Sequence, residues 1–262
     1  MSTNAMHVAR TGLDAQQTRM QVIANNLANV NTTGFKRDRA NFETLLYQTH
    51  REAGAQTSDT TALTGPMAIG TGVRIVATEK IHTQGSLTTT GNSLDLAING
   101  QGFFQVLMPD GRMGYSRDGS LSRNAEGLLT TDSGYVLQPE ITVPEGTLGI
   151  TISSDGIVTA TLPNQVEAEE LGQITLAAFP NPRGLAPVGE NLLVESPASG
   201  AAVIGAPMEN GIGKLVQGAL EASNVNVVQE LVDMIETQRA YEISSKSISA
   251  SDEMLRFLTN KI

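Results

Sequence analysis

A chain of 262 residues can form one large domain or two smaller ones, each burying a core of its own. Its charge is sparse, 17% of residues, and acidic, net −10, which argues against nucleic acid and anionic membrane surfaces, since both call for clustered Lys and Arg. No residue is Cys, which excludes disulfides, thiolate nucleophiles and thiolate metal sites, and no apolar run approaches the roughly 20 residues of a spanning helix.

The first predicted element is a helix over about residues 4–31. Met6, Leu13, Met20 and Leu27 recur every seven residues, and Ala9, Gln16, Ile23 and Val30 fill the alternate places of the same stripe. Such a repeat gives a helix one narrow apolar seam, and a seam needs a partner. Thr32-Thr33-Gly34 is read as its end, with Gly34 suited to a left-handed C-cap. Asp14 and Gln16-Gln17 interrupt any continuous apolar core, so no cleaved secretory signal is expected.

Residues 48–72 turn polar and small, with Thr64-Gly65-Pro66 and Gly70-Thr71-Gly72 toward the end. The segment is longer than the usual connection inside a compact domain, so it is expected to be a linker or an arm ordered against a neighbour. From 73 to 210 the texture is β. Val73, Ile75 and Ala77 alternate, as do Leu94, Leu96 and Ile98. Phe103-Phe104-Gln105-Val106-Leu107 reads as a strand followed by the turn Pro109-Asp110-Gly111. Short strands punctuated by Gly predict an antiparallel sheet or small barrel. The last helix is expected from near Ala222 or Asn226 to Thr259. Its seam is Val227, Met234, Tyr241, Ile248 and Leu255, while the alternate row, Leu231, Gln238, Ser245 and Asp252, is mostly polar.

The fold class expected is therefore mixed α and β, with paired terminal helices forming a coiled-coil-like inner domain and a mainly antiparallel β outer body. Its divisions would be 1–35 and 216–262 for the inner domain and 36–72 for the arm. The β body would take 73–139 and 181–215, with a second small β module at 140–180. Weak seams at both ends suggest an assembly subunit rather than an enzyme.

Catalytic chemistry finds little support. His7, His50 and His82 are scattered, and no pair has the spacing of metal ligands. Gly100-Gln101-Gly102 does not lead into a helix that would hold a phosphate. Asp110, Asp118 and Asp155 each precede Gly, where Asx turns explain them. A polysaccharide-acting enzyme would need those carboxylates to converge. Glu167, Glu169 and Glu170 read as a solvated face. We expect no cofactor, no metal and no catalytic set. Asn25, Asn26, Asn29, Asn31, Asn224 and Asn226 crowd the inner ends of the two helices. Asn is costly in a helix unless its amide is paired, so some are expected to set register across an interface.

These residues carry a resemblance. Gly12-Leu13-Asp14-Ala15-Gln16-Gln17, then Ile23-Ala24-Asn25-Asn26-Leu27-Ala28-Asn29-Val30-Asn31-Thr32-Thr33-Gly34-Phe35-Lys36, resembles the N-terminal signature of the flagellar rod and hook proteins. Ser223-Asn224-Val225-Asn226-Val227-Val228-Gln229-Glu230-Leu231-Val232 through Gln238-Arg239-Ala240-Tyr241-Glu242 resembles their C-terminal one. The 48–72 segment resembles the additional stretch that distinguishes the distal rod from the hook. The resemblance implies a wall subunit of a rigid hollow drive shaft, a helical homo-oligomer of this chain. Implied partners are proximal rod proteins below, hook protein above, the L and P ring proteins around it and the flagellar type III export apparatus.

Overall fold

The structure, a computed structural model, describes residues 2–52, 56–58, 61–62, 64–163 and 168–259. Glu167, the Leu255 side chain and residues 53–55, 59–60 and 63 of the expected arm lie outside the described set. The chain divides into two compact units. Unit 1 comprises Met1–Leu27, Asp38–Glu79 and Val227–Ile262; unit 2 comprises Ala28–Arg37 and Lys80–Asn226.

Unit 1 is built on helix α1, Ser2–Ala28, and helix α2, Val227–Thr259. The first stops short of the expected residue 31. Past Ala28 the Asn29 carbonyl accepts from the Thr32 amide at 3.2 Å, and the Asn29 side chain accepts from the Thr32 hydroxyl at 3.2 Å. Asn and Thr offer the backbone these local bonds in place of helix, so Val30 and Asn31 lie in a turn. Gly34 does have φ +65°, but it stands well beyond the helix and does not cap it. A Cβ there would lie 2.6 Å from the backbone of Arg117 and Asp118, so its role is close approach. Of the two expected starts for α2, the one near Asn226 holds, because Ala219–Glu221 is a strand paired with Leu87–Thr89.

The arm segment carries more strand than its composition suggested. Tyr47–Arg51 pairs antiparallel with Met67–Gly70, and Gln56–Ser58 with Thr61–Ala62. Asp38–Thr44 pairs with Val73–Lys80. Arg39 with Glu79 and Arg74 with Glu43, at 2.5 and 2.7 Å, brace that ribbon on its exposed side.

Unit 2 holds a nine-stranded antiparallel sheet centred on Phe103–Leu107, which pairs with Met113–Ser116, Val136–Gln138 and Leu176–Ala178. Side chains alternate across a strand, and the consecutive Phe103 and Phe104 show the consequence. Phe104 joins Leu96, Ile98, Val106, Leu129 and Leu137 in the main core. Phe103 joins a smaller core with Tyr115, Phe179, Leu185 and Leu193. Phe179 meets both Tyr115 and Phe103 edge-on, at 4.8 and 5.9 Å between ring centres. A three-stranded antiparallel sheet, Gly149–Ile152, Ile157–Thr161 and Glu169–Gln173, sits within the 140–180 stretch. Its Ile152 and Val158 belong to the main core, so it shares that core with the large sheet.

Candidate functional site

The two helices of unit 1 run antiparallel. Gly12 faces Ser244, a Cβ on it reaching 3.7 Å from the hydroxyl. Arg19 lies 3.7 Å from Asp233, and Asn26 donates to Glu230 at 3.3 Å. The most covered row of α2 is Glu230, Thr237, Ser244 and Ser251, again at seven-residue spacing but polar or small. Two of its hydroxyls bond locally: Thr237 donates to the Asp233 carbonyl at 2.6 Å and Ser251 to that of Ser247 at 2.8 Å. Small residues let the helices approach closely at little cost in hydrophobicity. A search for large apolar residues passes over this row, though its period was there to find.

The expected seam residues divide. Ile23 is buried, and Met6, Leu13, Met20, Leu27, Met234 and Ile248 are half-buried. Val227, Leu231 and Tyr241 stay 40%, 43% and 40% exposed. No described part of the chain covers them fully. Val30 is half-buried in the turn after α1.

The asparagines also divide. Asn26, 1% exposed, mimics a backbone partner: its amide donates to the Asp38 carbonyl at 2.9 Å and accepts from the Asp38 amide at 2.8 Å. Asn224, in unit 2, also uses both ends of its amide, accepting from the Arg37 amide at 2.7 Å and donating to the Ile81 carbonyl at 2.7 Å. Asn26 thus clamps a single residue at the start of a strand, whereas Asn224 bridges two backbone segments that flank the paired strands Asp38–Thr44 and Val73–Lys80. Asn25, Asn31 and Asn226 are exposed, and Asn29 is half-buried in the turn.

Beside Asn224 lies a cluster of buried charges that the spacing of residues along the chain does not announce. Glu221, 1% exposed, accepts from Lys36 Nζ at 2.5 Å and from the Gly85 amide at 2.8 Å. Arg117 Nε stands 3.6 Å from its other oxygen and donates through Nη2 to the Gly100 carbonyl at 2.6 Å. Lys36 Nζ also donates to the Thr83 carbonyl at 2.8 Å. Burial pushes both cations below their ordinary pKa, against the pull of Glu221. His82 sits edge-on to Phe103 at 5.5 Å, its Nδ1 buried without a partner. Burial, then the nearby charges of Lys36, Arg117 and Lys80, lower its pKa to about 4. The cluster ties residues 33–37 to the strands before α2. The Gly34 amide donates to the Glu221 carbonyl at 2.8 Å. Lys36 belongs to the N-terminal motif and Glu221 stands just before the C-terminal one, but no local signal pairs them.

Other candidates for chemistry disperse. Asp110 and Asp118 accept from amides two residues on, at 3.0 and 3.1 Å, as Asx turns do. Asp155 accepts instead from Ser154 at 3.3 Å. Glu169 and Glu170 are exposed, as are His7 and His50. Among the described residues no group of three or more His, Cys, Asp or Glu is placed to hold a metal ion, and no helix is long and apolar enough to cross a membrane.

Residues 6–36 match the profile described as flagella basal body rod protein, 97–160 the flagellar hook protein FlgE/F/G D1 domain, and 216–261 the flagellar basal body rod FlgEFG protein C-terminal. The chain is 52% identical to the flagellar basal-body rod protein FlgG of Buchnera aphidicola subsp. Acyrthosiphon pisum, covering 97% of this chain and 98% of that one. The chain belongs to the FlgG family of flagellar basal-body rod proteins. It is 48% identical to FlgG of Agrobacterium fabrum, over 98% and 99% of the two chains. The flagellar basal-body rod protein FlgF of Caulobacter vibrioides is more distant at 34%, over 99% and 98%. As a member of the FlgG family it is a structural rod subunit, not an enzyme. Asn26, Asn224 and the Lys36–Glu221 pair fall in or beside the two terminal profile matches.

Proposed function

We propose that the chain forms the wall of the distal rod, a helical homo-oligomer that carries torque from motor to hook. The observation behind this reading is the imbalance of burial in unit 1. Among its described residues only Ala15 and Ile23 are buried apolar side chains, although it contains two long helices. Val228, Ile235, Ile243, Leu46, Tyr47 and Met67 are all at least half exposed. A unit that leaves so much apolar surface uncovered is suited to be completed by neighbours. Assembly into an open tube needs one surface to dock on a different surface of the next copy, so that the contacts do not close on themselves. The expected seam residues and the asparagines would act in those contacts, and residues 48–72 would meet neighbouring copies.

The same reading gives the subunit proximal rod proteins below, hook protein above and the L and P rings around it. It would pass through the flagellar type III apparatus. Cryo-electron microscopy of basal bodies from a deletion strain complemented with this chain tests the assignment. Density for 2–28 and 227–259 around a central channel, with 47–70 ordered between copies of the distal shaft, is the expected outcome. Density in the proximal rod or hook would keep the axial class and move the position. Absence from the axial structure would sink the reading.

A further inference from the structure

Unit 1 bears a groove and a ridge of matching chemistry. The groove encloses about 1240 Å³ and is lined by Val8 and Gly12 of α1, Met67 and Ile69 of the arm strands, and Ile243 of α2, with Arg51 among the polar residues of its wall. The ridge lies on the first turns of α2. Val228, Val232 and Ile235 follow one another at the four- and three-residue spacing that lines one helix face. They are 71%, 46% and 52% exposed. Glu236 stands exposed beside them, as Arg51 does at the groove.

We propose that the ridge of one copy of this chain seats in the groove of the next. This deepens the rod reading and rests on it, since it names which two surfaces make one of the axial contacts. A second copy is the occupant for three reasons. The ridge cannot enter its own groove, because Ile235 and Ile243 lie on one continuous helix, about 12 Å apart along its axis. Apolar side chains would meet a mostly apolar wall, and the exposed Glu236 and Arg51 carry opposite charges. Every copy also supplies one ridge and one groove, the pairing that lets a head-to-tail assembly extend without limit.

The absence of native Cys makes the test clean. Ile69→Cys and Val232→Cys are introduced singly and together, both at exposed positions, and oxidised in isolated basal bodies. The doubly substituted chain is expected to give a ladder of linked multimers, and a mixture of the two single variants a dimer. Rods that form but yield no ladder overturn the pairing and leave the rod assignment standing. A dimer from either single variant alone overturns it as well, since like surfaces would then be meeting. Linkage to a protein of another mass would show that a different partner fills the groove, and would overturn the pairing too. Absence of the chain from the basal body sinks both readings. If the cysteine chains build no rods, a charge exchange decides: Arg51→Glu and Glu236→Arg should each reduce swarming, and the pair should restore it. Additive losses in the pair count against the contact.

Discussion

The strongest commitments in this molecule are single buried charges. Glu221 answers Lys36 and Arg117 at once, so removing its charge leaves two cations out of water with no anion. Glu221→Gln is expected to cost about 3–5 kcal/mol, measured by urea unfolding. Lys36→Met should cost less, because Arg117 remains to face Glu221. His82 adds a pH dependence whose sign follows from its environment. Its pKa is about 4 in the folded chain against roughly 6.5 when unfolded. The folded state thus binds the proton less readily than the unfolded one. The contribution of His82 is complete above about pH 6.5, falls as pH drops toward 4, and totals about 3 kcal/mol. The groups facing it, Lys36, Arg117 and Lys80, are all cations, and the Pro182 carbonyl alone favours the protonated ring. His82→Gln should flatten the unfolding curve across that window; an unchanged slope would assign it to other groups. None of this is readable from sequence. Lys36 stands in a recognisable motif, but its partner is 185 residues away, and only the folded topology brings them together.

At the scale of elements the helices were legible and their contact was not. The seven-residue rows of large apolar residues announced two helices with seams. The row that α2 actually covers is Glu230, Thr237, Ser244 and Ser251, while Leu231 and Tyr241 stay exposed. Hydrophobicity marks what is buried somewhere, including in an assembly. It does not distinguish a contact inside the chain from one between copies. Two substitutions separate these cases. Thr237→Leu would overfill the covered row away from the groove and is expected to destabilise the monomer by about 1–3 kcal/mol. Ile235→Asp, on the uncovered face, should leave monomer stability within about 0.5 kcal/mol and still impair rod assembly in cells. Urea melts and basal-body preparations of both variants check the contrast. The arm shows a second limit: Tyr47–Arg51 and Met67–Gly70 are paired strands, yet their side chains are almost all exposed and lack the alternation that betrays a half-buried sheet.

Across the whole molecule the two units are unequal. Unit 2 owns both apolar clusters, and unit 1 has Ala15 and Ile23. Unfolding of the monomer should therefore proceed in two steps, with the helices of unit 1 losing amide protection first and the strand Phe103–Leu107 last. Hydrogen exchange followed by mass spectrometry tests this; one cooperative transition for all amides would contradict it. The division into helical ends and β middle was plain from periodicity. That residues 28–37 join the β unit was not, because it depends on Gly34, Lys36 and the distant Glu221. That distance also orders events in time. Closing a loop of 185 residues costs about 4–5 kcal/mol of chain entropy. Until Glu221 arrives, Lys36 and Arg117 repel each other wherever the body tries to close, so the strand just before α2 acts as a latch. A chain that ends before Glu221 would leave both cations without their anion, so its β unit is expected to unfold at lower urea than that of the whole chain.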